Sequence, residues 1–84
     1  MNTYMERQVR LGVYRVLRKV GVNRNDIYPE ASLSTDYFFD DIDWKCFFCF
    51  VEEQFKIQLS DEETSQLVTV GSTIDLVNKR LSLN

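Results

Sequence analysis

Eighty-four residues, 44% of them hydrophobic, suffice for one small core, and a single domain over 1–84 is expected. The chain has no histidine, so it lacks the usual neutral-pH general base, the commonest zinc ligand and any Ser-His-Asp or Cys-His arrangement; no enzymatic activity is expected. Its net charge of −3 is unevenly spread: residues 1–25 carry six Arg or Lys against Glu6, whereas residues 26–63 carry eleven Asp or Glu against Lys45 and Lys56.

Within the first segment, Met5, Val9, Val13, Val16, Leu17 and Val20 recur on one helical face, with arginines elsewhere around the wheel. Gly21 stands where a left-handed residue would end this helix, and Pro29 follows in the connection. Residues 22–40 lose the period, yet Ile27, Leu33, Tyr37 and Phe38 are too apolar for a solvated linker. A loop of this length is expected to pack across the core.

A second helix is expected from Asp41, read as its N-cap, with Trp44, Phe47, Phe48, Val51 and Phe55 as the core stripe. Ser60 and Glu63 form a capping-box pair that opens a short third helix over 61–67. Thr69 caps a fourth, with Val70, Ile74, Val77 and Leu81 inward. The fold class that follows is all-α: a four-helix bundle with a long loop between helices 1 and 2 and a short helix 3.

Several stretches of wording agree with that layout. Pro29-Glu30-Ala31-Ser32-Leu33, the span 36–55 with its closing Val51-Glu52-Glu53-Gln54-Phe55, Leu59-Ser60-Asp61-Glu62-Glu63, Thr69-Val70 and Ile74-Asp75-Leu76-Val77 occur in an order and spacing that resemble the acyl carrier protein family. The resemblance implies a carrier fold and, in an ordinary member, a 4′-phosphopantetheine arm on the serine of an Asp-Ser-Leu signature at the start of helix 2. Here those positions read Asp40-Asp41-Ile42. A carboxylate is not the alcohol nucleophile that arm transfer from coenzyme A requires, so Asp41 is a degenerate attachment position and no prosthetic group is expected there.

Neighbouring positions depart as well. A small Leu-Gly-Ala-like turn in the family is Tyr37-Phe38-Phe39 here, and Trp44, Phe47, Phe48 and Phe50 stand where the family has smaller residues around its acyl chain. A filled interior with little room for such a chain is expected. Other hydroxyls, Ser32, Ser34, Thr35 and Ser60, lie outside the attachment context.

The site expected from these residues is a docking face. On the helix wheel Ile42, Cys46 and Cys49 form an apolar strip framed by Asp43, Glu52 and Glu53, and Asp40 and Asp41 at the helix start join them as expected partner-binding residues; the alternative is that this side packs on the long loop. Asp41 reads either as an anion imitating the phosphodiester or simply as a cap. Cys46 and Cys49 have a redox spacing but lie inside a helix, where plain cysteines are expected. With two cysteines and no histidine, no metal site is expected.

The expected partner is a protein with a basic docking patch. No nucleic acid is expected, because the basic residues of helix 1 lack interleaved stacking aromatics. No apolar run reaches membrane-spanning length and no signal-peptide order opens the chain, so a cytoplasmic monomer without membrane attachment is expected. Two further readings stay open: a genuine carrier of fatty-acid or polyketide-type biosynthesis, and a small structural subunit of a larger assembly.

Overall fold

The computed structural model describes residues 3–82 as four α-helices: α1 (Thr3–Val20), α2 (Asp41–Phe55), α3 (Asp61–Thr64) and α4 (Val70–Ser82). A single 3₁₀ turn, Arg24–Asp26, interrupts the long connection between α1 and α2. Among the described residues there is no strand, only an isolated antiparallel bridge between Ser32 and Thr69. The all-α bundle with its long first loop is the architecture the hydrophobic spacing predicts.

Helix α1 forms because its apolar residues fall on one stripe, and that stripe is buried: Val9, Val13, Val16 and Leu17 are enclosed, with Met5 and Val20 at its edges. It packs against both α2 and α4. Gly12 lets α2 come close, since a Cβ there would stand 2.7 Å from the Phe55 ring. At the other end Gly21 adopts φ +113°, and the Val22 N–H donates to Leu17 O (3.0 Å) while the Gly21 N–H donates to Arg18 O (3.1 Å). That pair of bonds is a Schellman stop, for which glycine avoids the cost of a crowded Cβ.

The connection over 22–40 lies across the core, as its apolar content requires. Ala31 and Leu33 are fully enclosed. Three backbone bonds fasten it to the first residues of α4 and the turn before them: Leu33 N–H to Val68 O (3.0 Å), Val70 N–H to Ala31 O (3.1 Å) and Gly71 N–H to Pro29 O (2.8 Å). Tyr37 donates its hydroxyl to Asp26 O (2.7 Å), tying the loop's end to its beginning. Burial holds the Tyr37 phenol above its ordinary value. Phe38 departs from expectation: it is 77% exposed rather than packed on the core.

Helix α3 ends at Thr64, short of the 61–67 span expected. The Thr64 hydroxyl donates to Asp61 O (2.8 Å) and the Ser65 hydroxyl to Glu62 O (2.6 Å). Such local side-chain bonds compete with propagation of the helix, and Leu67 is buried from the turn that follows. Before α4, Thr69 Oγ1 accepts the Ser72 N–H (3.0 Å) and Ser72 Oγ accepts the Thr69 N–H (2.9 Å), so Thr69 caps as predicted. Val70 and Val77 are enclosed, with Ile74 and Leu81 partly so. Thr73 and Asn78 are buried beside them, which apolar spacing could not indicate. Thr73 is satisfied by donating to Thr69 O (2.9 Å).

Candidate docking face at the start of helix two

Two local devices start α2. Asp40, not Asp41, is the N-cap: its Oδ1 accepts the Asp43 N–H (2.8 Å), and Asp43 Oδ2 accepts the Asp40 N–H in return (3.1 Å). This reciprocal box satisfies two backbone amides that the helix cannot pair internally. With two consecutive aspartates, the one that has a second acid three residues later can close the box. The other device is a hydrophobic staple, in which Phe39, just before the cap, packs edge-on against Trp44 in the first turn with centroids 5.1 Å apart.

The staple continues inward as an aromatic stack. Phe39 lies 5.5 Å from Phe47, which is fully enclosed, and Trp44 lies 5.4 Å from Phe48. These rings pack on one another beneath the start of α2. A surface cleft of about 240 Å³ opens beside them, lined by Ser34, Trp44, Phe48, Thr64, Ser65, Leu67 and Val68. Phe50, outside the core stripe, lies half-buried under the Lys19 ammonium, 5.7 Å from the ring centroid.

Asp41, the first residue of α2, is exposed, and its carboxylate accepts no hydrogen bond among the described residues. Ile42 beside it is 70% exposed. Further along, Cys46 is half-buried and Cys49 exposed, both as free thiols, and Glu53 is exposed. The remaining acids expected to frame this face serve the fold as well. Asp40 and Asp43 close the box, and Glu52 Oε2 accepts the Leu59 N–H (2.7 Å), fastening the chain between α2 and α3. Reversing Glu52 to Lys would therefore strip a backbone amide of its acceptor besides altering surface charge.

The outward residues at the start of α2 are thus Phe38, Asp41 and Ile42. Phe38 was not among the residues expected here. Its signal is the alternation of Tyr37-Phe38-Phe39: Tyr37 and Phe39 both pack on the core, so the residue between them must point away. No group of three or more His, Cys, Asp or Glu able to hold a metal ion occurs among the described residues. No helix among them is long and apolar enough to cross a membrane.

Of the alternative hydroxyls, Ser60 Oγ accepts the Glu63 N–H (3.1 Å) as the cap of α3, and Ser32 Oγ accepts the Thr35 N–H (3.3 Å) inside the long loop. Neither begins α2. At the position where the resemblance expects an attachment serine, the side chain is the Asp41 carboxylate, which does not fit a phosphodiester-linked arm.

No family model matches the chain. Relatives do. It is 33% identical over 76 residues to the acyl carrier protein of Chlorobium phaeobacteroides, an alignment that covers 89% of this chain and 97% of that protein. The acyl carrier protein of Chlorobium luteolum gives the same identity and the same coverage. With that likeness running through nearly the whole length of both relatives and the four-helix architecture described above, the chain belongs to the acyl carrier protein family.

Proposed function

We propose that this chain is a carrier-like interaction module, which binds a protein partner through the start of α2 and bears no 4′-phosphopantetheine. The observation that supports this reading best is Asp41, an exposed first-turn residue with a carboxylate at the position of the family's serine. In arm transfer an alcohol oxygen attacks the pyrophosphate of coenzyme A, the P–O–P bond breaks to release the adenosine bisphosphate half, and a stable phosphodiester results. A carboxylate attacking the same phosphorus would give a mixed anhydride that water cleaves. The packed Phe39, Trp44, Phe47 and Phe48 rings support the same reading, since they occupy volume that smaller side chains would leave to an acyl chain.

The partner is a protein that presents a basic patch. Asp36, Asp40, Asp41 and Asp43 concentrate negative charge around the start of α2, and association through such a face is steered by charge and weakened by salt. The contribution proposed for the module is recognition, and no step of this reading asks the chain, which has no histidine, for catalysis.

The likeness to acyl carrier proteins favours a second reading, a genuine carrier that uses another hydroxyl. Intact mass after incubation with coenzyme A and a phosphopantetheinyl transferase separates the two. The chain is expected to keep its polypeptide mass, whereas Asp41→Ser is expected to gain the arm. A mass gain by the unaltered chain would overturn the proposal.

A further inference from the structure

Phe38 combines two costly features. It is 77% exposed, the most exposed of the large apolar residues described, and its φ of +56° puts an L side chain in the left-handed region. There the Cβ crowds the neighbouring carbonyl, a clash that glycine avoids, and bulky residues are seldom found in it. Strain of this kind persists where the surroundings over-determine it, and it gathers at functional surfaces.

The surroundings here do over-determine it. On one side, Tyr37 is held by its N–H to Ser32 O (3.3 Å) and by its hydroxyl to Asp26 O (2.7 Å). On the other, Phe39 donates its N–H to Leu33 O (3.2 Å) and sets its ring between Trp44 and Phe47. Clamped at both ends, residue 38 can only project outward. Glycine would satisfy that backbone without strain, so the phenyl ring adds exposed apolar area and steric cost that no described contact offsets.

Four residues on, across the cap, lies Ile42, itself 70% exposed. Asp36, Asp40, Asp41 and Asp43 surround the pair along the chain. Resting on the reading of the chain as an interaction module, we propose that Phe38, seconded by Ile42, is the apolar anchor of this face, projected outward by a clamped backbone. It enters a pocket of the protein partner that is apolar at its floor and flanked by lysine or arginine. A ring carried on a clamped backbone has only side-chain rotation to lose on binding, which suits such an anchor, and aromatic residues in desolvated pockets carry much of the binding energy of interfaces.

The test places the photoreactive analogue p-benzoylphenylalanine at position 38 of the full chain in its native host, with the same analogue at Leu11 on α1 as control. Irradiation is expected to give one adduct with a different protein from position 38 and none from position 11. The adduct should map to an apolar residue with Lys or Arg beside it. Wild-type chain should compete the adduct away, and Phe38→Gly should compete at least tenfold less well. An adduct with a second copy of this chain, with lipid, or with an acidic surface would overturn the proposal, as would no adduct.

Folding supplies an independent arm. Phe38→Gly is expected to leave Tm unchanged or raise it by roughly 2–6 °C, because strain is relieved and no buried contact is lost. A fall in Tm would show that the ring packs on its own fold and would overturn the anchor. Pantetheine on a chain that still cross-links from position 38 would defeat the module reading and leave the anchor standing; an unmodified chain without adducts would do the reverse.

Discussion

At the entrance to α3 the Ser60–Glu63 capping box is closed from outside by Arg80, whose Nη1 donates to both Glu63 carboxylate oxygens (2.7 and 2.8 Å) and to Gln58 O (2.9 Å). At the entrance to α2 the Asp40–Asp43 box meets no cation among the described residues, and Phe38, Asp41 and Ile42 beside it face outward. The same local device thus ends in a tertiary lock at one corner and in an open acidic, apolar surface at the other. Capping accounts for the helix starts at both corners; it does not account for the exposed ring and the uncompensated charge at the second.

The contrast breaks most visibly at the locked corner. Glu63→Ala removes a cap partner and the acceptor of a charge-assisted bond together, and is expected to cost about 1–3 kcal/mol in chemical denaturation. A smaller effect is expected at the open corner, where the two neighbouring acids should separate. Asp40→Ala should cost about 1 kcal/mol through loss of the cap, whereas Asp41→Ala should change stability by less than about 0.5 kcal/mol. Equal losses would return the capping role to both residues and leave Asp41 with no unshared task.

The smallest effect is the response to acid. The bond from the Ser60 amide, and after it Arg80, hold the Glu63 carboxyl below its ordinary value of 4.5. A folded-state value depressed in this way contributes stability that is fully present above about pH 4.5. It is lost as pH falls through the folded value, because the unfolded chain takes up the proton first. Glu63→Gln should therefore flatten the acid limb of a stability–pH curve, and an unchanged limb would place the acid sensitivity elsewhere.

Much of the scaffold was legible because its signals are periodic or local. The stripe of α1, the Gly21 stop, the Ser60–Glu63 box and the Thr69 cap all depend on residues within a few positions of one another. What was misread required knowledge of contacts or competition between neighbours. The choice of Asp40 over Asp41 turns on Asp43 and on the Phe39–Trp44 staple, and α3 stops early because two hydroxyls bond backward. The Arg80 lock joins residues 17 apart, which no local pattern announces.

At the candidate docking face, which side chains are exposed was legible in outline, while the structural duties of its acids were not. Composition located the acidic stretch, and the outward positions of Asp41, Ile42, Cys49 and Glu53 agree with the helix wheel. Glu52 is also committed to the Leu59 amide, a contact seven residues away across a turn. Hydrophobicity alone assigns an aromatic residue such as Phe38 to the core. Only the fixed positions of Tyr37 and Phe39 force it out.

The measurement that bears most directly on the central claim is the intact mass of the protein purified from its native host under conditions that preserve phosphodiesters. The account predicts the mass of the bare polypeptide. A covalent phosphopantetheine adduct, at whatever residue it was mapped, would contradict it.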